Sequence, residues 1–263
     1  MITQFFKAIS LACALLFHLV VASGLLIALP DTHERRLLLV QWMHHCSRII
    51  LQILDISFWV EDQTTSPPPA GTLFLANHVS YIDALILSAQ YPAVFVTSHE
   101  VRDTVFLGWL ARCSGCVFVE RRGFNTLKRD ISDIRDLLAS GLNVIIFPEG
   151  TTSDGSQILP FKQSLLEAAV GIASEVRPIC VNYRYCNGQT ISLETSKLLF
   201  YFGEMNLIRQ LISLFGVFEV VVEIILRPAL TLNEQSCRKK LAEASRLSIR
   251  QVFAPILDPG AAL

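Results

Sequence analysis

From Ala8 to Leu29 the chain is apolar for about twenty-two residues, interrupted only by Ser10, His18, Ser23 and Gly24. That length predicts a membrane helix, because about twenty apolar residues at 1.5 Å each cover roughly 30 Å of hydrocarbon. Lys7 gives the short basic flank of a secretory signal, but the run exceeds the usual core of about 7 to 15 residues and no small-residue cleavage site follows. The expectation is therefore a retained anchor, with a single N-terminal span. Arg35, Arg36 and Arg48 after it, against Lys7 before it, place the long C-terminal part on the cytoplasmic side. Next, Gln41, His45, Arg48, Gln52 and Asp55 recur every three or four positions between Leu37 and Val60, which predicts an amphipathic helix. It either packs on the domain or lies in the headgroup layer with Trp42 in lipid.

Beyond Pro67-Pro68-Pro69 the pattern alternates. Strands are predicted at Thr72 to Ala76, Ala93 to Thr97, Cys116 to Glu120, Asn143 to Phe147, Arg177 to Tyr183 and Phe218 to Leu226. The clearest helices are Asp83 to Ala89, Asn125 to Ser140, Ser164 to Ala173 and Glu234 to Phe253. Gly141 reads as a C-cap and Thr231 to Glu234 as a capping box. Phe200 to Phe215 reads as an apolar element, lipid-facing or packed in the core. The fold class expected is α/β, a mostly parallel sheet flanked by helices, with residues 1–60 as anchor and amphipathic helix and 61–263 as the catalytic domain.

Candidate chemistry sits where the first of these strands gives way to a helix. His78 and Asp83 are five positions apart in Asn77-His78-Val79-Ser80-Tyr81-Ile82-Asp83. An imidazole, which titrates near ~6.5 when unperturbed, takes a proton from a hydroxyl at neutral pH, and a carboxylate beside it fixes its tautomer. Five residues of continuous helix turn through about 500°, so the pair can meet only if His78 precedes the helix. The plainer interpretation is a helix entry in which Ser80 caps, Asp83 closes the capping box and His78 is a loop residue. A second polar cluster, Phe147 to Ser153, also follows an apolar strand, Val144 to Phe147. In a parallel sheet such loops gather at the carboxyl edge of the strands. Gly115 to Arg121 and Val176 to Val181 add a strand ending in charge and a strand opening.

Taken in order, these four blocks resemble the glycerolipid acyltransferase family, over about residues 56 to 230. His78 and Asp83 match its His-x4-Asp signature, Gly115 to Arg121 its second block, Phe147 to Ser153 its third and Val176 to Val181 its fourth. The resemblance implies an O-acyltransferase that moves a fatty acyl group from a thioester, on coenzyme A or acyl carrier protein, to the hydroxyl of a lysophospholipid, foremost 1-acylglycerol-3-phosphate. His78 would be the base and Asp83 its orienter. Asn77, Ser80, Arg121, Glu149, Gly150 and Thr151 would bind substrate, Arg121 through paired hydrogen bonds to phosphate. Glu149 would bond glycerol hydroxyls, and Gly150 would let backbone come close. No metal or organic cofactor is expected, because a thioester is already activated. Two departures concern the headgroup. Thr152 stands where lysophosphatidic acid acyltransferases commonly have arginine, and Thr97 to Val101 lacks a lysine they often carry. Both suit a less anionic acceptor, a lysophosphodiester or a lyso-aminolipid such as a lyso-ornithine lipid.

Composition agrees with a membrane setting: 52% of residues are hydrophobic and mean hydropathy is +0.46, high for a wholly soluble protein. A net charge of −1, with no zinc-finger spacing or basic-aromatic strip, argues against nucleic-acid binding. Seven cysteines, an odd number scattered through apolar segments, fit a reducing compartment. Cys113-x-x-Cys116 reads as packing rather than redox chemistry, and His44-His45-Cys46 points in several directions on a helix. Arg122, Lys128 and Arg129 read as a solvated face. Two other classes are open: an inactive lipid-binding protein, against which His78, Asp83, Arg121 and Glu149 stand, and a hydrolase using Ser80, for which no Gly-x-Ser-x-Gly elbow exists.

Overall fold

A computed structural model describes residues 2–120, 124–203, 205, 207–230 and 237–256. Along the chain run α1 (Ile2–Ala28), α2 (His33–Ile53), β1 (Ile56–Asp62), β2 (Thr72–Ala76), α3 (Ile82–Gln90), β3 (Val94–Ser98), α4 (His99–Arg102), α5 (Val105–Cys113), β4 (Val117–Val119), α6 (Phe124–Ala139) and β5 (Val144–Ile146). A 3-10 turn (Ser164–Ala169), β6 (Glu175–Cys186), β7 (Gln189–Thr190), α7 (Leu193–Leu199), α8 (Leu207–Leu214), β8 (Val220–Leu226) and α9 (Arg238–Arg250) follow.

The strands form one sheet in the order β1-β8-β6-β2-β5-β3-β4, with β7 on the end of β6. From β6 to β4 all pairings are parallel, as expected. β8 pairs antiparallel with β6, while β1 runs parallel to β8, so the sheet is mixed and its last two strands point the other way. β2 is buried along its whole length. Its period of two sends Phe74 and Ala76 into one core with Ile82, Ile86 and Leu87 of α3, and Leu73 and Leu75 into the other with Ile134 and Leu138 of α6. Central burial on both faces is what fixes the end of β2, and with it His78.

The predicted helix over Leu37 to Val60 is two elements. Its polar repeat stops at Asp55, whose φ of +55° no helix tolerates, and Ile56–Asp62 then pairs with β8. The division expected at residue 60 therefore cuts a strand of the catalytic sheet; the natural boundary follows Leu54. α2 packs on the domain, and its polar stripe has a use. His44 Nδ1 lies 2.8 Å from the Ser88 carbonyl and Arg48 Nε donates to Ala89 O at 3.0 Å. Those are last-turn carbonyls of α3 that lack helical partners, so α2 closes the far end of the helix that carries Asp83.

α1 is long and apolar enough to cross a membrane, with a window hydropathy of 2.4 of which only 17% is buried. It touches the domain at both ends. Lys7 Nζ donates to Val217 O at 2.6 Å and pairs with Asp55 at 2.7 Å, and near the other end Ser23 Oγ lies 3.7 Å from Cys113 Sγ. The helix predicted at Ser164 to Ala173 is only the 3-10 turn, and among the described residues of 200–215 the one regular element is α8. Gly141 ends α6 as expected, at φ +86° with its N–H on Leu138 O. The capping box predicted at Thr231 to Glu234 lies outside the described residues.

Candidate active site

His78 stands just beyond β2 and ahead of α3, as a meeting with Asp83 requires. Its Nδ1 donates to Asp83 Oδ2 at 2.9 Å. The same oxygen accepts the backbone N–H of Val79 at 2.7 Å and of Ser80 at 2.9 Å. Asp83 therefore performs the first-turn capping and the orienting of the imidazole at once, and the two interpretations of the motif are a single arrangement. With Nδ1 committed as donor, Nε2 is the ring nitrogen whose lone pair can take a proton. The His78 side chain is 20% exposed and Asp83 is fully buried, so the imidazole can meet a substrate while the carboxylate cannot. Phe147, at the end of β5, stacks on the imidazole with centroids 3.9 Å apart and planes 12° from parallel.

The loop after β5 holds the backbone of His78 from both sides. Glu149 Oε1 accepts His78 N–H at 2.9 Å, and Ser153 N–H donates to His78 O at 2.9 Å. Gly150, at φ +71°, makes the turn that brings both groups round, a conformation that costs an L side chain strain. Glu149 Oε2 accepts Leu159 N–H at 2.9 Å, and the carboxyl is buried. Both its oxygens are thus engaged by backbone, so Glu149 positions the His78 loop, a use the expected contact with glycerol hydroxyls did not include.

Asn77 and Ser80, also expected to bind substrate, are likewise bonded to backbone. Asn77 is buried, its amide donating to Val181 O and accepting Val181 N–H, which locks β2 to β6 at the site. Ser80 Oγ is buried and donates to Leu199 O at 2.6 Å, joining α7 to the motif and turning the hydroxyl away from a nucleophile's role. Thr151 is exposed on the carboxyl-edge loop, where a substrate contact is open to it. Arg121 lies outside the described residues. The strand before it is anchored, with Glu120 N–H donating to buried Asp130 at 2.8 Å.

One residue escaped the sequence: Tyr183, on β6. Its hydroxyl donates to Asp83 Oδ1 at 2.7 Å in full burial. Burial first, and then the Asp83 charge, hold the phenol well above its ordinary pKa, so it remains a donor. Asp83 thus receives N–H or O–H donors on both oxygens, which is how a fully buried carboxylate stays tolerable. Nothing local marks Tyr183; the signal is its place two positions beyond the fourth sequence block.

Burial raises the Glu149 carboxyl to about 7, against the opposing effect of the Leu159 and His78 N–H bonds. The folded protein then holds a proton that the unfolded chain, with an ordinary value near 4.5, releases. This contribution to stability is complete below about 4.5 and is lost as pH rises through about 7, a change of at most roughly 3 kcal/mol. Thermal denaturation of wild type and Glu149→Gln across that range should show the wild-type advantage shrinking as pH rises. An advantage that grew with pH would contradict the assignment.

The Cys113 and Cys116 thiols are raised by burial, Cys116 to about 12, which keeps both protonated and fits packing.

Comparison with known proteins agrees with this geometry. The family model described as Acyltransferase matches residues 57–182, spanning β1 to the middle of β6. A lyso-ornithine lipid O-acyltransferase of Rhodobacter capsulatus is 32% identical over 208 residues, covering 77% of this chain and 72% of its own. A 1-acyl-sn-glycerol-3-phosphate acyltransferase of Neisseria meningitidis serogroup B is 35% identical over 140 residues, covering 52% and 53%. In fold, the crystal structure of the 1-acyl-sn-glycerophosphate acyltransferase of Thermotoga maritima matches 97% of this chain and 100% of its own with a TM-score of 0.60, at 18% identity. With sequence similarity running through every strand that shapes the His78–Asp83 site, the chain belongs to the acyltransferase family.

Proposed function

We propose that the protein transfers a fatty acyl group from a thioester on coenzyme A or acyl carrier protein to the free hydroxyl of a membrane lysolipid. The observation that carries this is the His78–Asp83 pair, 2.9 Å apart, with a partly exposed imidazole on a rigidly held loop. His78 Nε2 takes the hydroxyl proton as the oxygen attacks the thioester carbonyl. The new C–O bond forms, the C–S bond breaks, and the departing thiolate recovers the proton from the imidazolium. Asp83 stabilises that cation. Charge compensation and proton transfer both come from side chains, so the reaction needs no metal or organic cofactor.

The acceptor's headgroup is the finer question. Thr152 supplies no charge, and just beyond β3 His99 has Nδ1 3.7 Å from Glu120 Oε2. An uncharged threonine at position 152 favours a less anionic acceptor, such as a lyso-aminolipid, over the dianionic 1-acylglycerol-3-phosphate. The lyso-ornithine lipid acyltransferase among the relatives supports the same preference. Comparing kcat/KM across lyso-ornithine lipid, 1-acylglycerol-3-phosphate and a lysophosphodiester tests it: wild type should favour the first, and Thr152→Arg should shift preference toward the phosphomonoester by about tenfold or more. An unchanged ratio would remove position 152 from headgroup recognition.

α1 anchors the enzyme to the cytoplasmic side of the membrane. Contacts at Lys7 and Ser23 hold it alongside the domain, and this favours immersion in one leaflet over a perpendicular crossing.

A further inference from the structure

Helix α5 turns its large apolar side chains outward. Val105, Phe106 and Trp109 are 92%, 54% and 44% exposed, while Gly108 and, one turn beyond Trp109, Cys113 are buried. Positions 105 and 109 are one turn apart with 106 beside them, so the three make one stripe. Packing fixes that stripe firmly. A Cβ on Gly108 would meet the Arg102 carbonyl oxygen at 2.1 Å, so α5 sits directly on the backbone of α4. At its other end Cys113 meets Ser23 of α1, a helix whose own Leu16, Phe17 and Val20 are more than half exposed. The end of α5 therefore abuts the membrane anchor.

A tryptophan and a phenylalanine on an apolar stripe, followed by the exposed cation Arg112 in the last turn, is the composition of a helix lying at a membrane surface. Location gives the stripe a purpose. α4 and α5 follow β3, which ends at the same carboxyl edge of the sheet as β2 and His78. We propose that α5 is a second membrane-inserted element, its Val105, Phe106 and Trp109 entering the bilayer beside α1 to seat the catalytic edge on the surface from which the lysolipid is taken. This rests on the acceptor being a membrane lipid, as proposed above.

Two measurements test it. The first needs no turnover: wild type and Trp109→Phe are bound to vesicles of phosphatidylcholine with a minority of phosphatidylglycerol, carrying lipid brominated near the head of the acyl chain. The fluorescence of Trp109, taken as the difference between the two proteins, should be quenched; an unquenched Trp109 in vesicle-bound protein would overturn the proposal, whether water or another protein covers it. The second uses Val105→Glu with Phe106→Glu, at exposed positions where folding is not challenged. The apparent KM for lysolipid in vesicles should rise about tenfold or more, since two apolar side chains no longer enter lipid. kcat/KM for a short-chain lysolipid dissolved as monomer should stay unchanged. Equal losses on both substrates, or none on vesicles, would contradict insertion. Because quenching is read without catalysis, an error about the substrate and an error about the surface give different results.

Discussion

Replacing His78 by alanine is expected to lower kcat by about 10²- to 10⁴-fold, the range a positioned general base supplies, while leaving the fold and membrane attachment intact. The imidazole is partly exposed and stacks on Phe147, and the loop that carries it is held through backbone groups, His78 N–H on Glu149 and His78 O on Ser153. An alanine keeps those backbone bonds. Neither α1 nor α5, the two elements proposed to meet the membrane, takes part in any of these bonds. Steady-state kinetics alongside circular dichroism and flotation with vesicles checks all three parts. Residual turnover above about a hundredth of wild type would remove the histidine as base.

Asp83→Asn is expected to cost nearly as much, for a reason that can be separated from folding. Oδ2 faces three N–H donors, from His78 Nδ1, Val79 and Ser80, whereas Oδ1 faces the Tyr183 hydroxyl, which can also accept. Asparagine therefore fits with its carbonyl toward the three donors and its NH₂ toward Tyr183, keeping every bond and losing only the charge. What disappears is the stabilisation of the imidazolium that forms as the hydroxyl proton is taken, and with it much of the roughly 10²- to 10⁴-fold that a positioned general base supplies. A loss of about 10²-fold or more in kcat, with a melting temperature near that of wild type and little change in thioester KM, is the expected result. A variant that kept most of its activity would make Asp83 a capping residue only.

Much of this was legible in the sequence, and the omissions have physical causes. The parallel strands from β2 to β6 were readable because each is apolar and bounded by turn residues, and the His78–Asp83 meeting because the histidine had to precede the helix. β1 was hidden because Ile56 to Val60 continues, in spacing, the repeat of α2; only the positive φ at Asp55 separates them. α5 is nine residues with its apolar groups outward, the reverse of the core-facing stripe by which short helices are recognised. Tyr183 reaches Asp83 from a hundred residues away, a contact set by strand order and burial that no local spacing reports. Asn77, Ser80 and Glu149, expected to bind substrate, are bonded to backbone in the structure. A polar side chain near a catalytic loop can hold either substrate or scaffold, and only burial and saturated hydrogen bonds tell which.

The central claim is direct transfer by His78 between a thioester and a lysolipid hydroxyl, and it is tested most directly by mixing purified enzyme with radiolabelled acyl thioester, with and without lysolipid, and following where the label goes. The account predicts label on the lysolipid when acceptor is present. Without acceptor it predicts no stable acyl-protein and negligible free fatty acid, and with the His78→Ala variant transfer reduced to background. Label retained on the protein, or released as fatty acid at the same rate whether or not lysolipid is added, would contradict it.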